Sequence, residues 1–91
     1  MRSRLHVYVY GRVQGVFFRA NTQITASGLG LTGWVKNLDD GGVEITAEGE
    51  KEKLMQLLEW CHNGPDSAKV DSVKKEWEKY KGDFNRFEVR Y

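Results

Sequence analysis

The sequence predicts an α+β fold, with two helices laid on one face of a β-sheet, and three observations predict it. Two segments, residues 5–9 and 43–47, alternate apolar and polar side chains with a period of two. Residues 54–61 carry an apolar stripe at helical spacing. These segments also occur in the order strand, helix, strand, strand, helix. In the first strand Leu5, Val7 and Val9 alternate with His6, Tyr8 and Tyr10, so one face is buried and the other is aromatic and more exposed. Residues 16–29 read as a helix with Phe17, Ala20 and Ile24 on one side and Gly28 or Gly30 at its end. Gly33, Val35 and Asn37 share one face of a second strand, Asp40-Gly41 is a hairpin turn, and Val43, Ile45 and Ala47 alternate with Glu44, Thr46 and Glu48 in a third. Leu54, Leu57, Leu58 and Cys61 fall at i, i+3, i+4 and i+7 of a second helix, closed by Asn63-Gly64-Pro65. Residues 69–80 fit two patterns. Val70, Val73, Trp77 and Tyr80 have helical spacing, while Val73 and Trp77 also fit one face of a strand. Phe87, Val89 and Tyr91 alternate with Glu88 and Arg90 as a closing strand.

The 91 residues make one domain, 1–91, with no repeat, linker or low-complexity tract. Fourteen basic against thirteen acidic residues give a formal net charge of +1, which excludes a global field drawing the chain to nucleic acid or acidic lipid. Any anion site must be local. A single cysteine excludes an internal disulfide, and no stretch approaches the roughly 20 apolar residues of a membrane span or the apolar core of a signal peptide. The expectation is a cytoplasmic protein with no membrane partner. The Lys and Glu residues of 48–59 and 69–81 read as solvated surface.

The stretch Gly11-Arg12-Val13-Gln14-Gly15-Val16-Phe17-Phe18-Arg19 follows the first strand and opens the first helix. A turn of this kind leaves backbone N–H groups without intrahelical acceptors, and the positive end of the helix dipole points the same way. Gly11 and Gly15 remove side chains that would bar a phosphate from close approach, and Arg19 adds a planar fork suited to two phosphate oxygens. Taken alone, two glycines four apart before a helix often mark a structural turn.

With Asn37 in Gly33-Trp34-Val35-Lys36-Asn37-Leu38, and with Gly64-Pro65 followed by Ala68 and Val70, the chain resembles the acylphosphatase family from its first strand to its last. The resemblance implies a small hydrolase, without cofactor or metal, that cuts the carboxyl-phosphate bond of acyl phosphates. It implies a strand for residues 69–80. The order is then β-α-β-β-α-β-β, a ferredoxin-like split β-α-β sandwich with two helices on one face of an antiparallel sheet. By motif position the family's catalytic arginine and asparagine carry over to Arg19 and Asn37. Family members usually have glycine where Phe17 stands, with phenylalanine a familiar variant, and the hairpin Asp39-Asp40-Gly41-Gly42 lacks the proline common at its first position.

The residues suit that chemistry. There is no nucleophile with a base at motif spacing and no pair of histidines spaced as metal ligands. Cleavage of an acyl phosphate expels a carboxylate whose conjugate acid has a pKa of about 4, so no general acid is needed. Phosphoryl transfer through a loose transition state asks for positioning and charge stabilisation. On this reading the N–H groups of Gly15, Val16, Phe17 and Phe18, with Arg19, bind the phosphoryl oxygens, and Asn37 aims the water. A neutral carboxamide suits that place better than a carboxylate facing an anion. The partners are small acyl phosphates, with inorganic phosphate as product and competitive inhibitor.

Other residues read as structural. Trp34, Trp60 and Trp77 are packing residues, Phe17 and Phe18 seat the loop on the core, Cys61 is a small core hydrophobe, and His6 and His62 lie at the surface. An RNA-binding sheet would place bases over aromatics around a glycine on a central strand. Here Val43-Glu44-Ile45-Thr46-Ala47-Glu48 puts acidic residues there, which excludes nucleic acid as partner. A non-catalytic phosphate sensor would keep the loop and Arg19 but have no use for Asn37.

Overall fold

A computed structural model describes residues 1–91. The elements are β1 (Arg2–Arg12), α1 (Phe18–Gly28), β2 (Thr32–Asn37), β3 (Val43–Glu50), α2 (Lys51–Asn63), β4 (Lys69–Glu78) and β5 (Phe87–Arg90). The ferredoxin-like β-α-β-β-α-β-β order is borne out, including the strand at β4. The sheet order is β4-β1-β3-β2-β5. Three of its four ladders are antiparallel, as expected of the sheet, and β2 and β5 pair in parallel. The reason lies in residues 79–86. β4 ends at Glu78 opposite Arg4, and the chain then crosses that end of the sheet, past Glu48 of the central strand β3, to the opposite edge. It enters β5 at Phe87 opposite Gly33, close to where β2 begins, and so travels in the same direction as β2.

Both helices cover one face. Leu5, Val7 and Val9 of β1, Val35 of β2 and Ile45 of β3 are fully buried there. On α2 the expected stripe holds, with Leu54, Leu57 and Cys61 buried and Leu58 half-buried. On α1 it does not. The helix starts at Phe18 rather than 16, and its buried face is Phe18, Thr22 and Ala26, while Ile24 is 69% exposed. Thr22 is tolerated inside because its hydroxyl donates to the Phe18 carbonyl at 2.8 Å, which satisfies it locally. A threonine that bonds its own helix behaves as a core residue, and a hydrophobicity pattern counts it as polar.

Burial pushes the Cys61 thiol up to about 12. The folded state therefore favours the neutral thiol. Its contribution to stability is complete below the ordinary thiol value of about 8.5 and is lost as pH rises towards that folded value. Between about pH 8 and about pH 10 the wild type should lose roughly 2 kcal/mol more than Cys61→Ala, measured by denaturant titration of both proteins. Parallel losses would contradict this.

The opposite face of the sheet is less exposed than expected. Thr46 and Glu48 are buried. Thr46 pairs with His6 on one side and Trp34 on the other, and those two rings meet edge to face, with centroids 6.3 Å apart, across it. Glu48 accepts the backbone N–H groups of Lys81 at 2.7 Å and Asp83 at 3.1 Å, with the Arg4 guanidinium 3.7 Å away. A carboxylate so surrounded is compensated for its burial, and it fixes the segment that leads into β5. His6, expected at the surface, is half-buried and lies 2.6 Å from a Glu44 carboxylate oxygen. Of the tryptophans, Trp60 packs on Phe18, whereas Trp77 is 37% exposed beneath Lys51. No helix is long and apolar enough to cross a membrane.

Candidate active site

Between β1 and α1 the chain makes a tight loop built from left-handed backbone. Gly15 has φ 72°, and a Cβ there would meet no protein atom within 4 Å, so the space above it is open. Phe17, just before α1, has φ 63° and ψ 23°. The N–H groups of Gly15, Val16 and Phe17 donate to no backbone acceptor, and those of Phe18 and Arg19 in the first turn have no intrahelical one. The carbonyls of the loop, by contrast, are engaged. Val16 accepts from the Ser67 hydroxyl at 2.9 Å, and Phe17 accepts from Asn21 through both its backbone N–H at 3.0 Å and its side-chain amide at 2.9 Å. Because each peptide is planar and trans, a carbonyl held on one side leaves the next N–H pointing to the other. The result is a cradle of backbone donors suited to an anion.

Gly15, Phe17, Phe18, Arg19 and Asn37 line one cleft of about 850 Å³ that also reaches Tyr91. Arg19 is half-buried. Its Nη1 donates to the Arg90 carbonyl at 3.4 Å, and its guanidinium lies 4.7 Å from the centre of the Tyr91 ring, so most of its donors remain available. Asn37 ends β2, opposite Val43. Its Oδ1 is buried and accepts no hydrogen bond from the protein. A buried acceptor without a donor is costly in a folded chain and marks a site where a ligand or water supplies one.

Of the residues expected to share a site, Gly15, Phe17, Phe18, Arg19 and Asn37 line this cleft and Val16 does not, and two further expectations are corrected. Gly11 is not part of the cradle. It lies on β1 opposite Val70, next to an irregularity in the β1–β4 register, and a Cβ there would collide with the Lys69 carbonyl, so its role is strand contact. Phe17 does not seat the loop on the core, since it is 76% exposed; Phe18, at 1%, does. Gln14 was not singled out by sequence. Its Nε2 donates to the carbonyls of Leu38 at 2.7 Å and Gly42 at 2.8 Å, tying the loop to the hairpin that follows Asn37. Ser67 and Asn21 brace the loop in the same way, and an isolated serine or asparagine in the sequence carries no signal of such a contact.

The sequence and the fold are matched by known proteins. The acylphosphatase family model matches residues 5–89. The chain is 46% identical over 90 residues to an acylphosphatase of Pelotomaculum thermopropionicum, covering 99% of this chain and 98% of that one. It is 50% identical over 91 residues to an acylphosphatase of Geobacter sulfurreducens, covering both chains completely. The fold superimposes on the crystal structure of acylphosphatase from Bacillus subtilis with a TM-score of 0.94 at 40% identity, over 100% of each chain. The chain belongs to the acylphosphatase family, hydrolases that act on acyl phosphates.

Proposed function

We propose that the cleft hydrolyses acyl phosphates by attack of water on phosphorus, releasing a carboxylate and inorganic phosphate. The N–H groups of Gly15, Val16, Phe17 and Phe18, with the Arg19 guanidinium, bind the phosphoryl oxygens and stabilise their charge in the transition state. Asn37 Oδ1 accepts a hydrogen bond from the attacking water and holds its lone pair towards phosphorus. The carboxylate leaves without a proton donor because it is a weak base. The observation that carries this reading is the unpartnered, buried Asn37 oxygen in the same cleft as the free loop amides. A phosphate sensor would gain nothing from that oxygen, since it repels an anion. Arg19 and the amides supply the positive charge that a metal supplies elsewhere, and inorganic phosphate, which fits the same donors, should compete with substrate.

Phosphate release from benzoyl phosphate, measured beside a phosphate monoester and in the presence of EDTA, tests the reading. The acyl phosphate should be consumed at a rate that EDTA leaves unaltered, and the monoester should be the poorer substrate. Activity lost in EDTA and restored by Mg²⁺, or a faster monoester reaction, would contradict it.

A further inference from the structure

Phe17 is the one residue other than glycine whose φ is positive, and it is also 76% exposed. Both properties are unfavourable in the free protein. A side chain in the left-handed region is strained, and an exposed phenyl ring gains nothing from water. Glycine would adopt this backbone freely and still present the same N–H. The phenyl ring therefore calls for a role of its own, and its place defines one. It lines the cleft beside Arg19 and Asn37, and in the proposed reaction the N–H of the same residue binds the phosphoryl group, so the ring stands next to whatever that group carries. Val89 and the Tyr91 ring also line this cleft. Gln23, Arg86 and Glu88 share the cleft wall, so the acyl portion meets a mixed surface in which Phe17, Val89 and Tyr91 supply an apolar, partly aromatic patch.

We infer that Phe17 is a specificity-determining residue that packs against the acyl group and makes this enzyme selective for acyl phosphates of aromatic acids over those of short aliphatic acids. The inference rests on the hydrolytic reading above. Covering the ring with a substrate ring removes apolar surface from water on both, with an aromatic pair as the contact, and such a contact is worth about tenfold in selectivity.

The test compares kcat/KM on benzoyl phosphate and acetyl phosphate for the wild type, Phe17→Gly and Phe17→Leu. The quantity read is the benzoyl-to-acetyl ratio in each variant relative to wild type, which cancels both the intrinsic reactivity of the two compounds and any change in the loop that affects them alike. Phe17→Gly should lower the ratio by about tenfold, and Phe17→Leu, which keeps an apolar wall, by less. A ratio within twofold of wild type in Phe17→Gly overturns the inference, even if both activities fall together, and leaves the hydrolytic reading intact. Failure of the wild type to hydrolyse either compound overturns both readings at once.

Discussion

Arg19→Ala is expected to lose about 10³ or more in kcat/KM on an acyl phosphate, with losses in both binding and turnover. The guanidinium is the only full positive charge among the donors of the loop, and it stands at the first turn of α1, where the dipole adds to it. It interacts with the phosphoryl group before and during transfer, so its removal raises KM and lowers kcat together. The fold should tolerate the change. Arg19 makes one hydrogen bond, 3.4 Å long, to Arg90 and a cation–π contact with the highly exposed Tyr91, neither of which anchors the core. Arg19→Lys should recover only part of the loss, because an ammonium cannot span two oxygens as a planar fork does. Wild-type kinetics in Arg19→Lys would contradict the bidentate role.

Asn37→Ala separates chemistry from binding. It should lower kcat by roughly 10² to 10⁴, the range for a reactant that loses its positioning, while the inhibition constant of inorganic phosphate stays within about threefold of wild type. Stability supplies a second reading. Asn37 Oδ1 is buried without a protein donor, so deleting it removes an unsatisfied acceptor and should leave the unfolding free energy unchanged or slightly raised. A structural asparagine would behave in the opposite way. Asn37→Asp should weaken phosphate binding as well, since it sets a negative charge beside the anion. A folded Asn37→Ala protein that turns over benzoyl phosphate at the normal rate would end this assignment.

Where each side chain faces either the core or water, periodicity reads the fold correctly. That is why β1, the core side of β3, and α2 were legible from Leu5-Val7-Val9, Val43-Ile45-Ala47 and Leu54-Leu57-Cys61. It fails where a polar residue is satisfied inside. Thr22 bonds its own helix and turned the buried face of α1, and Glu48 is neutralised by the amides of Lys81 and Asp83 and by Arg4, all of them distant from it in sequence.

 The direction of β5 depended on the path of residues 79–86, and that path is set by contacts between segments distant in sequence. The strand at β4 came from family resemblance, because half-buried edge residues such as Val70 and Val73 leave no unambiguous period. In the candidate site, Gly15 and Arg19 stood out as an anion cradle from residue type and order, whereas Asn37 came from the family resemblance. Gln14, Asn21 and Ser67 act on backbone carbonyls, which every residue possesses, so no pattern of residue types reveals their targets.

The division of labour between the cradle and Asn37 requires that water attack phosphorus and that the bond between phosphorus and the bridging oxygen break. Hydrolysis of benzoyl phosphate in water enriched in oxygen-18, followed by mass spectrometry of both products after a single turnover, measures this directly. Label in the inorganic phosphate and none in benzoate is the expected result. Label in benzoate would mean that water attacks the acyl carbon, which the positions given to Arg19, the loop amides and Asn37 do not allow.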